Sequence, residues 1–66
     1  MKSYHVQIIS FDENGKPESA KKSYDEKAPN DEAVILNAKN NHHYPFRIKA
    51  FLGTELVIDE DVPYQD

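Results

Sequence analysis

The chain has no cysteine and no tryptophan, only two glycines, and Arg47 is the single arginine among its 66 residues. Without cysteine there are no disulfides and none of the common thiolate zinc sites. Two glycines leave no glycine-rich loop to cradle phosphates. With one arginine, the usual bidentate reader of phosphates and guanines is nearly missing. No apolar run approaches the ~20 residues that span a bilayer. No charged, apolar, small-residue leader opens the chain either, so a cytoplasmic protein is expected.

What is present is a globular mixture, 38% hydrophobic and 30% charged, with twelve acids against eight Lys and Arg for a net charge of −4. That charge favours solubility and opposes broad binding to a phosphate backbone. Sixty-six residues form one domain at most. A domain near that size buries only about 60% of its unfolded surface and usually leans on a staple. With disulfides gone, a partner subunit is one staple left.

Alternation organises the N-terminal half. From Ser3 to Phe11, Tyr4, Val6 and Ile8 take one face while His5, Gln7, Ile9 and Phe11 take the other. β-Branched and aromatic residues at period two predict a strand. Asn14-Gly15 then predicts a type I′ hairpin turn, which needs positive φ at both central residues. A polar second strand is expected from Glu18 to Tyr24, with Pro17 at an edge position and Lys21 and Lys22 guarding that edge. Lys27-Ala28-Pro29 reads as a break.

Asn30 is placed to cap a helix, with Asp31 and Glu32 in its first turn and Lys39 near its end. The stripe Val34, Ile35 and Ala38, with Leu36 at one margin, predicts an amphipathic helix that Asn40-Asn41 and Pro45 terminate. Phe46 to Leu52 alternates again, and Gly53-Thr54-Glu55 turns the chain into Leu56-Val57-Ile58. A three-residue loop closed by Leu52 and Leu56 sets Ala50 opposite Ile58 and Phe51 opposite Val57. It also sets Lys49 opposite Asp59 and Arg47 opposite Asp61, each an opposite-charge pair. A two-residue Gly-Thr loop would set Ile58 beside Lys49 and Asp59 beside Ile48 and mix the faces. From Asp59 onward the chain is expected to leave the sheet as an acidic tail, residues 59–66. The expected fold is α+β in the order ββαββ, one helix on one face of an antiparallel sheet, as a single domain over residues 1–66.

One short helix covers one sheet face at most. Ile9, Phe11, Phe51 and Val57 are assigned to the other face, where four large apolar groups point to homodimerisation or to a protein partner. Asp59, Glu60, Asp61 and Tyr64 form a second candidate surface, acidic and suited to a basic groove on a nucleic-acid enzyme. His42 and His43 are adjacent and point apart, and no cysteine or near carboxylate completes a tetrahedral set with them. No metal or cofactor is therefore expected. No serine lies in a nucleophile motif such as G-x-S-x-G, and no acid pair has catalytic spacing, so an enzyme is not expected. Two other uses remain open. Lys21, Lys22, Tyr24, Arg47 and Lys49 could serve a small RNA-binding module, and the same apolar face could belong to a structural subunit of a larger assembly.

The run Ile48-Lys49-Ala50-Phe51-Leu52, a turn, and then Val57-Ile58-Asp59-Glu60 resembles the small phage-encoded antagonists of host defence enzymes, the Dmd-type antitoxins among them. The likeness covers about a fifth of the chain and transfers no functional residue. It implies a compact protein without chemistry of its own that inhibits a larger enzyme.

Overall fold

The alternating N-terminal segment is a strand, β1, over Lys2–Phe11. It is followed by β2 (Pro17–Ala28), α1 (Asp31–Asn41), β3 (Phe46–Leu52) and β4 (Glu55–Val62), the ββαββ order expected. This computed structural model describes residues 1–12, 14–42 and 45–63, and excludes the side chains of residues 18–20 within β2. The four strands form one antiparallel sheet in the order β2-β1-β3-β4. The two hairpins therefore meet along β1 and β3, with Ile8 opposite Ile48 and Val6 opposite Ala50. Strands β2 and β4 are left as the edges.

Period two makes the inner face apolar. Tyr4, Val6, Ile8, Phe46, Ile48, Ala50, Ile58 and Val62 are buried there, and Val34 and Ala38, one helical turn apart, close over them from α1. The helix begins where the cap predicts: Asn30 Oδ1 accepts from Ala33 N at 2.9 Å. Polar bonds then tie α1 to the sheet. The Tyr4 hydroxyl donates to Asp31 Oδ1 at 2.7 Å, and Asn37 Nδ2 donates to Glu26 Oε1 at 2.9 Å. Of the expected stripe, Ile35 is half-buried against the core while Leu36 is 58% exposed.

Four details depart from the sequence reading. The first turn is not type I′, because Gly15 has φ +78 and no described non-glycine residue has positive φ. Gly15 N donates to the Asp12 carbonyl, and the Asp12 side chain accepts from Asn14 N and Lys16 N, both at 2.9 Å. That carboxylate satisfies two loop donors, so a wider loop with Gly15 left-handed suffices.

Second, β2 continues through Lys27 and Ala28, and the break falls at Pro29. Ala28 is buried opposite Lys2, which prolongs the pairing.

Third, the second hairpin has a two-residue loop, Leu52 opposite Glu55, with Gly53 at φ +64. The body of the hairpin still has Ala50 opposite Ile58, Lys49 opposite Asp59 and Arg47 opposite Asp61, as expected. A bulge between the two regions inserts one extra residue on β4, so Phe51 faces Leu56 rather than Val57. The bulge lets the loop use its glycine and keeps Glu55 out of a left-handed position.

Fourth, Asp59 to Asp61 do not leave the sheet. β4 runs to Val62, which is buried opposite Phe46. Burying that valine holds the acidic residues in extended pairing.

Candidate functional site

The four apolar residues assigned to the open face do not form one patch. Phe51 lies opposite His5 on β1, whereas Ile9 lies opposite Arg47. Phe51 and Ile9 are thus four strand positions apart, about 13 Å at ~3.3 Å per residue, with Gln7 and Lys49 paired between them. Phe11 continues beyond Ile9, its backbone N donating to the Pro45 carbonyl at 2.9 Å. Ile9, Phe11, Phe51 and Val57 are each half-buried, and Val57 packs against the core. The bulge accounts for that turn of Val57.

Charge fills the space between the apolar groups. Arg47 Nε donates to Asp59 Oδ1 at 3.0 Å, and its Nη1 lies 3.7 Å from Asp61 Oδ1. The pKa of Arg47 is raised, first by the hydrogen bond to Asp59 and then by the charges of Asp59 and Asp61. On the other side of the same face His5 Nδ1 meets Asp25 Oδ1 at 2.9 Å. The open face is crossed by the exposed Arg47 ion pairs and the His5–Asp25 hydrogen bond, with an apolar pair at each end.

The edges differ more than the faces. β4 carries Glu55, Asp59, Glu60 and Asp61 and no base. Twelve acids and eight bases in the whole chain leave eight of each outside β4, so the entire net charge of −4 resides on this strand. Among the described residues no fifth strand pairs with its outer backbone groups. Leu56 is 45% exposed at one end of β4, beside Phe51 on the open face. On the helix side, Glu32, Ile35, Leu36, Lys39 and Glu60 line an open groove of about 410 Å³ between α1 and β4. An acidic strand edge is therefore flanked on both faces by exposed leucine. Sequence reading identified Asp59, Glu60 and Asp61 as a surface but not Leu36, which it put at the margin of the helix stripe, or Leu56, which it used to close the hairpin loop. The bulge that decides the exposure of Leu56 has no local signature. Tyr64 lies outside the described residues.

The lysine and aromatic set considered for RNA is divided. Lys21 lies on the open face opposite Ile9, while Lys22 and Tyr24 lie on the helix side opposite Ile8 and Val6. Tyr24 packs on the core, and Arg47 is engaged by two carboxylates. Among the described residues no three His, Asp or Glu side chains converge on a point that could hold a metal ion. His42 packs against Phe46 with ring centroids 5.3 Å apart and the rings tilted by 55°. Its pKa is lowered, first by burial and then by the charge of Lys22, although a helix C-terminus alone would favour the cation. His43 is outside the described residues. None of the described helices is long and apolar enough to cross a membrane. No family model matches the chain, and neither a curated protein nor a solved structure matches it.

Proposed function

We propose that the protein works without chemistry of its own, by binding another protein through the β4 edge in the cytoplasm, as an inhibitor of a larger enzyme. The observation that carries this reading is the placement of the whole net charge on one open strand between two exposed leucines. An open edge offers backbone hydrogen bonds to an added strand or loop. Exposed apolar side chains supply the desolvated centre that such contacts need, and charge of one sign supplies steering toward a basic groove. The likeness of β3 and β4 to phage antagonists of defence enzymes agrees with an inhibitor. The division of Lys21, Lys22 and Tyr24 between two faces weighs against an RNA module.

The test immobilises the full chain and compares proteins retained from lysate by the wild type, by Leu36→Ser/Leu56→Ser and by Asp59→Asn/Asp61→Asn. The expected result is a stoichiometric protein retained by the wild type, weakened by both variants and released by salt. Retention indifferent to both pairs of substitutions would reject the β4 surface. Retention of nucleic acid alone, lost with Lys22→Glu, would favour the RNA reading.

A further inference from the structure

The other edge, β2, has a different chemistry. Its residues Pro17–Ala28 include Lys21, Lys22 and Lys27 against Glu18, Asp25 and Glu26, a balance of three and three. Its outer backbone is as open as that of β4. Unlike charges on one open edge can face one another when the strand meets its own copy, because an antiparallel two-fold pair reads the sequence in reverse. Such an axis stands perpendicular to the sheet and keeps each face on its own side. Opposed residues must then share a face, so the axis has to pass through a residue and not between two.

Among axes from Lys21 to Lys27 the charges select one. An axis at Tyr24 sets Lys22 opposite Glu26 but forces Lys21 opposite Lys27. An axis at Asp25 opposes that carboxylate to itself, and an axis at Lys22 opposes that ammonium to itself. An axis at Ser23 sets Lys21 opposite Asp25 twice and Lys22 opposite Tyr24 twice, with no like charges directly opposed and, of these charges, only Lys22 diagonal to its own copy. Lys21 and Asp25 both lie on the open face, opposite Ile9 and His5 of β1. The side chain of Asp25 is 88% exposed, so it is free to take a second cation. On the helix side the Lys22 stem would lie against the Tyr24 ring. It would also stand diagonal to Glu26, within the reach of a long side chain. Oε2 of Glu26 is the one buried side-chain oxygen or nitrogen among the described residues that lacks a hydrogen-bond partner.

β4 fails the same operation. Axes at Ile58, Asp59 and Glu60 oppose Glu55 to Asp61, Asp59 to itself and Glu60 to itself. Acid meets acid in each case, and no base on the strand relieves it.

We infer that β2 is a self-recognition edge: two copies of this chain join β2 to β2 in antiparallel register about Ser23, making one continuous eight-stranded sheet with both β4 edges outermost. This inference is independent of the partner proposed for β4 and leaves that edge free.

Sedimentation equilibrium of the full chain from about 10 μM to about 1 mM tests it, a range in which weak dimers assemble. The wild type is expected to pass from the mass of one chain to that of two. Lys21→Asp and Asp25→Lys each turn two attractive pairs into two repulsive ones and should weaken the dimer at least about tenfold. The exchange Lys21→Asp/Asp25→Lys should restore it, and circular dichroism should show all three variants folded. Asp59→Asn/Asp61→Asn should leave the dimer unchanged, which separates this test from that of the β4 partner. A wild type monomeric throughout, a dimer unmoved by either reversal, or a folded exchange variant that stays monomeric would each overturn the inference.

Discussion

The two edges of the sheet are attached and charged in opposite ways. β4 is short, anchors Ile58 and Val62 in the core, and holds four acids and no base. β2 is half as long again, buries Ala28 and half-buries Tyr24, and is balanced in charge. Sheets commonly protect an open edge with charge. Here the pattern of charge, and not its mere presence, decides what each edge repels. A strand of one sign rejects its own copy and attracts a basic surface. A strand of balanced sign can accept its own copy.

The largest expected effect tests the difference in anchoring. Ile58→Ala on β4 removes a fully packed side chain and should cost about 2–5 kcal/mol in urea unfolding. Tyr24→Ala on β2 truncates a half-buried ring and should cost clearly less. Equal losses would mean that the two edges are held alike.

Next comes the bond that fixes the helix near the β2 side. The Tyr4 pKa is pushed up to about 12, mainly by its hydrogen bond to Asp31, then by burial and by the Asp31 charge. A raised folded pKa gives stability that is fully present below 10.0 and lost as pH rises through about 12. Tyr4→Phe should flatten that part of the alkaline unfolding curve. An unchanged curve would show that Asp31 does not hold the hydroxyl in solution.

Arg47→Ala loosens β4 by removing the guanidinium from Asp59 and Asp61. These groups are substantially exposed, so the cost should be small beside that of Ile58→Ala and should shrink in salt. A cost that rivals Ile58→Ala would make the pair a main anchor of β4.

The smallest effect concerns His42, whose pKa is lowered by burial and by Lys22. A lowered folded pKa gives stability present above the ordinary value of 6.5 and lost as pH falls through the folded value. His42→Phe keeps a ring on Phe46 and should remove part of the acid sensitivity below that pH. Wild-type and variant curves that coincide would contradict it.

Alternation from Tyr4 to Ile8 and from Phe46 to Ala50, together with the Asn30 cap, made the element order legible in the sequence. These signals are local: period two marks a strand, and a capping side chain marks a helix start. The order of strands was not legible, because pairing of β1 with β3 joins residues about forty positions apart, such as Val6 and Ala50. Bulges were also hidden. One extra residue on β4 let a two-residue loop coexist with the charge-matched register, and it turned Val57 toward the core. The acids at 59–61 read as a tail because the burial of Val62 that holds them in the sheet depends on Phe46 across the hairpin. Of the candidate surface, the acids were readable as residue types. The flanking exposure of Leu36 and Leu56 and the separation of Ile9 from Phe51 arise only when the strands are assembled.

The most direct measurement of the difference between the edges is amide hydrogen exchange by NMR, followed along β2 and β4 as protein concentration rises. Amides of residues 21–27 that point away from β1 should gain protection with concentration, while the outward amides of β4 stay unprotected until a partner protein is added. Protection that builds on β4, or outward β2 amides that remain exposed at every concentration, would contradict the assignment of self-recognition to β2 and partner recognition to β4.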